Sequence, residues 1–285
     1  MHITVIGVGL IGGSLALALK ENGFADRVTG IDQNKNNAEK ALELGIIDSI
    51  GDMDTALKES ELVIVSIPVS TTTNVLSKIL DKIGKNTVVT DMGSTKKAIC
   101  EAIANHPNRK NFVASHPIAG TEHSGPQAAF KELFNNKIAI ICDREKSSDF
   151  AVELIEDMYK KLNMQLINMD SVSHDLHVAY VSHLSHISSF ALGITVLDKE
   201  RDESAIFNLA GSGFESTVRL AKSSPEMWAP IFEQNKKNVS EALGEYIKQL
   251  QIFKSFIDND DVGNLSNLMR TANEIRRVLD GMKQR

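Results

Sequence analysis

Residues 7–12 read Gly7-Val8-Gly9-Leu10-Ile11-Gly12, the spacing of a turn built to hold a pyrophosphate. In such a turn the first glycine permits the bend, the second lets the backbone approach the phosphates, and the third lets the following helix pack closely on the sheet. Leu10 and Ile11 open that helix, whose N-terminal amides attract negative charge. Asp32 follows Gly12 by twenty residues, at the end of the next apolar run. A carboxylate there accepts from both ribose hydroxyls and repels a 2′-phosphate, and Gln33 and Asn34 offer no cation to hold one. The combination points to NAD rather than NADP as cofactor.

A second stretch, Ala114 to Gly125 (ASHPIAGTEHSG), places His116 and His123 among small residues after an apolar run. A neutral imidazole can accept an alcohol proton as hydride leaves the same carbon, which suits a dehydrogenase. His116 directly follows the apolar run, whereas His123 lies in a polar stretch before Pro126 and reads as a surface or capping residue. Ser94, in Asp91-Met92-Gly93-Ser94, could orient such an alcohol. Arg219, in GFESTVRLA, is suited to grip a carboxylate through paired hydrogen bonds. The histidines His174, His177, His183 and His186 invite a metal reading, but on one continuous helix they point to opposing faces. No metal site is expected. Trp228 reads as a packing anchor.

These residues need elements to hold them. Short Val- and Ile-rich runs at 2–7, 27–32, 61–68, 87–93, 111–115, 137–142 and 164–170 alternate with helical patterns. Runs apolar almost throughout suggest parallel strands covered on both faces, hence a doubly wound α/β sheet. The helical patterns NNAEKALELG and TTTNVLSKILDKIG both end in a glycine suited to a left-handed cap. Ligands of such sheets sit beyond the carboxyl ends of the strands. The loops there carry the glycine turn, Ser66 and Pro68, Asp91 and Ser94, and His116. After about residue 171 helical periodicity takes over, so the chain divides into a dinucleotide-binding domain, 1–170, and an all-α domain, 171–285.

Of the 285 residues, 42% are apolar and 24% charged, and the net charge is −6. Scattered Lys and Arg leave no footprint for nucleic acid or an anionic membrane, so small molecules are the expected partners. Two cysteines, Cys100 and Cys142, suggest neither a metal knuckle nor a disulfide framework. With no leader-like N-terminus and no apolar run of about 18 residues, a cytoplasmic location is expected.

Five ordered motifs, GVGLIGGS, DMGSTK, SHPIAGTEHSG, HVAYVSHLSH and GFESTVRLAKSSPEMW, together resemble the prephenate dehydrogenase family of tyrosine biosynthesis, which includes arogenate and cyclohexadienyl dehydrogenases. The resemblance runs nearly the whole chain. It implies a Rossmann-type domain followed by a helical dimerisation domain, and a homodimer. It implies NAD-dependent oxidation of the ring alcohol of prephenate with loss of the ring carboxylate, giving 4-hydroxyphenylpyruvate. His116 then corresponds to the proton acceptor, Ser94 to the serine beside it, and His186 and Arg219 to substrate-binding residues, with Glu122 as a partner for Arg219. The alternatives are an arogenate dehydrogenase or a β-hydroxyacid dehydrogenase; the latter usually carries a lysine where this helix has Arg219. The family often has proline in place of Ser185, and an acidic residue and a threonine near Ser216 and Val218. A regulatory ACT domain and a chorismate mutase fusion are not expected, so any control by tyrosine would act at the site itself.

Overall fold

The computed structural model describes residues 1–203 and 205–283. Among them, eight strands form one sheet in the order β3-β2-β1-β4-β5-β6-β7-β8. The strands are β1 (His2–Ile6), β2 (Arg27–Ile31), β3 (Ser49–Ile50), β4 (Leu62–Val65), β5 (Val88–Asp91), β6 (Phe112–Pro117), β7 (Ile138–Cys142) and β8 (Gln165–Met169). Seven of them coincide with the apolar runs. β3 is two residues long, too short for a hydrophobic pattern to reveal it.

From β3 to β6 every pairing is parallel. The link from β6 to β7 carries only 3-10 turns (Pro126–Ala128 and Lys131–Phe134) rather than a crossover helix, and β7 pairs with β6 antiparallel. β7 and β8 therefore run against the rest, a departure from the all-parallel expectation. β1, β4, β5 and β6 still deliver their carboxyl ends to one side of the sheet, in the register Ile6↔Val65, Val65↔Asp91 and Asp91↔Ala114.

Three of the crossover helices start at a residue whose side chain satisfies a free amide. α1 (Leu10–Glu21) begins at Gly9. α2 (Lys35–Glu43) is capped by Asn34, α3 (Met53–Glu59) by Asp52, and α4 (Val69–Lys82) begins at Pro68. α5 (Lys97–Ala102) follows β5, and α6 (Asp149–Lys161) is capped by Ser148. Gly45, after α2, has φ +67°, the left-handed stop expected of it. Gly84 does not: α4 ends at Ile83 in extended backbone (φ −65°, ψ 154°), so no left-handed residue is required there. Ile3, Val5, Leu15, Leu19, Val28 and Ile64 are wholly enclosed on one side of the sheet. Val63, Val65, Leu76, Val89 and Phe112 are wholly enclosed on the other. Two buried faces explain why the central strands are apolar almost throughout.

Beyond β8 the chain is helical. α7 (Ser171–Val178), capped by Asp170, runs through a π-helical turn (Ala179–His183) into α8 (Leu184–Asp202). α9 (Ser212–Val218) leads to a 3-10 turn (Arg219–Lys222), and α10 (Pro225–Gln234) is capped by Ser224 with Pro225 in its first position. All of these belong to one compact unit, Met1–Lys236, so packing continues well past the change of period near residue 170. A second unit, Lys237–Arg285, contains most of α11 (Lys236–Asp258), with α12 (Val262–Ala272) and α13 (Arg276–Lys283). Among the described residues no helix is long and apolar enough to cross a membrane.

Candidate active site

The glycine turn has the geometry its three glycines imply. Gly7 has φ +91°, and a Cβ there would lie 2.3 Å from the Ser66 carbonyl oxygen, so the turn leaving β1 presses on the loop leaving β4. A Cβ at Gly12 would lie 2.0 Å from the Gly7 oxygen, so only glycine lets α1 dock on β1. At Gly9 a Cβ would meet nothing within 4 Å. That open space lies over the first turn of α1, where Leu10 and Ile11 present helix N-terminal amides. Asp32 stands just past β2, its carboxylate accepting from Val8 N (3.0 Å) and Asn34 N (2.9 Å). The residues present fit a dinucleotide: open backbone for a pyrophosphate, and a carboxylate anchored to the same turn for a ribose.

Ser66 and Pro68 follow β4, where Ser66 N donates to Ile6 O (2.7 Å) and ties the two loops together. Asp91 closes β5. The sequence places it at the cofactor, but its side chain is fully enclosed, taken up by the ammonium of Lys96 and by Gly93 N at 3.0 Å. Its Oδ1 is buried and has no hydrogen-bond partner among the described residues. Lys96 also donates to Ser115 O (2.7 Å), so a buried charge pair fastens the end of β5 to β6. Ser94 is half-buried in the loop between Asp91 and α5.

His116 occupies the next-to-last position of β6. Its Nδ1 is 2.9 Å from Nε2 of His174 on α7, and the two rings meet edge to face with centroids 5.1 Å apart. His174 Nδ1 is in turn 2.8 Å from Asp175 Oδ1. Asp175 accepts from Lys96 N (2.7 Å) and Lys97 N (3.1 Å), the first amides of α5. Burial, then the neighbouring His174, Lys96 and His183, pull the His116 pKa well below 6.5. Burial lowers that of His174 as well, although the bond to Asp175 opposes it. Both rings are therefore neutral near pH 7, the state a proton acceptor needs. Sequence reasoning missed His174, Asp175 and Lys96. Asp175 offered a weak signal, being a charged residue in the apolar-periodic stretch after residue 171.

The π-helical turn explains why continuous-helix geometry misplaces the other histidines. A π turn inserts a residue into the helical period and rotates all that follows. His183, at its end, is buried, 3.3 Å from Asn235 Nδ2 and edge-on to Trp228 at 5.7 Å. His186, half-buried, stacks on Trp228 at 3.6 Å between ring centroids, inclined by 27°. Its pKa is lowered, first by burial and also by the charge of Arg219. Trp228, read as packing, is indeed buried, yet its Nε1 has no hydrogen-bond partner among the described residues. Among the described residues no three His, Cys, Asp or Glu side chains are arranged to hold a metal ion.

Arg219 begins the 3-10 turn after α9 rather than lying within a helix, and Nη1 donates to Glu122 Oε2 at 3.1 Å. Its side chain remains 49% exposed, which leaves guanidinium surface available to another carboxylate. Glu122 is held below the usual carboxylate range by its own backbone N–H and by the charge of Arg219. His123 is exposed. The arrangement brings a neutral imidazole, an arginine with free surface and a dinucleotide turn into one compact unit, the equipment for oxidising the alcohol of an anionic substrate.

Comparison with known proteins agrees. Residues 15–168 match a family described as "Prephenate dehydrogenase, nucleotide-binding domain", and residues 170–271 one described as "Prephenate dehydrogenase, dimerization domain". The chain is 34% identical to a prephenate dehydrogenase of Bacillus subtilis over 99% of its own length and 76% of the relative's. It is 27% identical to a cyclohexadienyl dehydrogenase of Zymomonas mobilis, covering 98% of this chain and 96% of the other. A crystal structure of prephenate dehydrogenase from Aquifex aeolicus, in complex with hydroxyphenyl propionate and NAD+, superposes with a TM-score of 0.88 at 31% identity, covering 98% of each chain.

Proposed function

The chain belongs to the prephenate dehydrogenase family, and from that premise we propose how its residues divide the work of an NAD-dependent oxidative decarboxylation of prephenate. When bound, NAD supplies the two-electron acceptor. Gly7, Gly9, Leu10, Ile11 and Gly12 receive its pyrophosphate, Asp32 its adenosine ribose, and Ser66 and Pro68 flank it, while Asp91 acts from within the protein by holding Lys96. His116 accepts the proton of the ring hydroxyl at Nε2, the nitrogen not engaged by His174, and Ser94 orients that hydroxyl. As the carbon is oxidised, the ring carboxylate leaves as carbon dioxide and its bonding pair completes the aromatic ring, so no free carbanion needs stabilising. Arg219, held by Glu122, grips a substrate carboxylate, and His186 lines the substrate beside it. The protein's contribution is position and one proton transfer.

The observation that carries this reading is His116, neutral and backed by His174, on the same sheet end as the Gly7–Gly12 turn. The test follows NADH formation with purified protein, NAD, and either prephenate or arogenate. Turnover of prephenate supports the reading, and no turnover of either substrate overturns it. His116→Asn is expected to lower kcat by about 10²–10⁴-fold with NAD binding intact. Arogenate is the second reading, favoured by the similarity to a cyclohexadienyl dehydrogenase.

The helical residues 171–285 are proposed to provide substrate and dimer contacts in a cytoplasmic homodimer. Within Lys237–Arg285, Ile247, Leu250, Ile257, Val262, Met269 and Val278 are each more than two-fifths exposed. So much apolar surface in one helical unit suits a partner subunit.

A further inference from the structure

We infer that His174 and Asp175 are positioning residues that set the tautomer of His116, through a one-directional chain of hydrogen bonds ending at the first amides of α5. The inference rests on His116 acting as the proton acceptor.

The direction follows from the atoms. Asp175 meets only donors on the α5 side, Lys96 N and Lys97 N, and so accepts there. A carboxylate oxygen 2.8 Å from His174 Nδ1 must accept again, which puts the His174 proton on Nδ1. A neutral imidazole carries one N–H, so His174 Nε2 is a bare acceptor. The 2.9 Å contact between His174 Nε2 and His116 Nδ1 needs one proton, and His116 must supply it. His116 is then protonated at Nδ1 and bare at Nε2, the form able to take a substrate proton. The opposite tautomer would point an N–H at the substrate hydroxyl and disable the base. His174 is fully buried and Asp175 nearly so, which shields the chain of bonds from bulk solvent. When Nε2 gains the substrate proton, the bond to His174 is unchanged in direction, and the Asp175 carboxylate faces the new positive charge along the chain.

Two measurements on the full chain test this. In ¹⁵N-histidine-labelled wild-type protein near neutral pH, the NMR signals of His116 are expected to show a protonated Nδ1 and a bare Nε2; the reverse assignment overturns the proposal. In kinetics, His174→Gln preserves the direction, with its carbonyl accepting from His116 and its amide donating to Asp175, whereas His174→Leu removes both bonds. His174→Leu is expected to lower kcat about 10²-fold with KM within about twofold, and His174→Gln to regain at least about tenfold of that loss. Equal activity of the Gln and Leu variants, or a Leu variant with near wild-type kcat, overturns it. In Asp175→Leu the acceptor for His174 Nδ1 is gone, so the preference of His116 for the Nδ1-protonated form is expected to be lost; an unchanged tautomer in the folded variant counts against the proposal. Should that variant not fold, the wild-type spectrum and the His174 pair still decide. If the wild type turns over neither substrate, the functional reading falls, and the spectrum alone judges the tautomer.

Discussion

Lys96 and Asp91 form an ion pair from which solvent is wholly excluded, both side chains being 0% exposed. The pair joins β5 to β6 one residue before His116, because Lys96 also holds the Ser115 carbonyl. Removing one member of a buried pair leaves the other charge unmatched, at a cost of about 3–5 kcal/mol. Lys96→Met is expected to destabilise the fold by that amount in denaturant titration. Pairing it with Asp91→Leu should recover most of the loss. A single-variant loss below about 1 kcal/mol would mean that the pair contributes little.

Acid sensitivity follows from the buried histidines. Burial lowers the His183 pKa from 6.5 to about 4. Between those values the unfolded chain binds a proton that the folded chain refuses, so stability is complete above pH 6.5 and is lost as the pH falls toward 4. For His183 the effect is on the order of 3 kcal/mol. His116, His174 and His186 shift in the same direction and steepen the loss. Unfolding free energies measured from pH 7 to pH 5 should fall, and less steeply for His183→Gln. Identical slopes would contradict the assignment.

Gly9 and Gly12 should separate binding from folding. A methyl group at Gly9 meets nothing within 4 Å, whereas one at Gly12 would strike the Gly7 carbonyl at 2.0 Å. Gly9→Ala is expected to keep its melting temperature while NAD affinity, read by calorimetry, drops more than about tenfold. Gly12→Ala is expected to lose stability first, in line with the usual cost of about 1–3 kcal/mol for overpacking. A Gly9→Ala protein with normal NAD affinity would place the pyrophosphate elsewhere.

The Arg219 and Glu122 pair is partly solvated, with side chains 49% and 20% exposed, so its value to stability is small. Its expected role is in binding. Arg219→Ala should raise the KM for prephenate by at least about tenfold and change kcat less. Glu122→Gln should alter that KM without moving the melting temperature. Unchanged KM in both variants would make the pair purely structural.

Much of this was legible along the chain. Six strands announced themselves because both faces of the sheet are covered there, which forces apolar runs; β8, at the sheet edge, is largely exposed. Gly7, Gly12 and Asp32 lie within one local β-α-β unit, whose spacing reports its geometry. The expected partnership of Arg219 and Glu122 is a 3.1 Å contact. The reversal of β7 was hidden, because a strand's sequence carries no sign of its direction. The turn over Ala179–His183 was hidden too, since a single inserted residue leaves the apolar period almost intact while rotating His183 and His186 away from their continuous-helix positions.

The sequence by itself determined the glycine turn, the carboxylate beside it and the strand end that bears His116, because each depends on short-range backbone geometry. Only the tertiary structure decided what stands behind His116. His174 lies 58 residues away, and Lys96 and Asp175 are separated by 79. Those distances close only when α7 packs against the amino end of α5. Hydrogen bonds between such distant residues leave no periodic trace in the chain, since each partner needs only its own place in the fold.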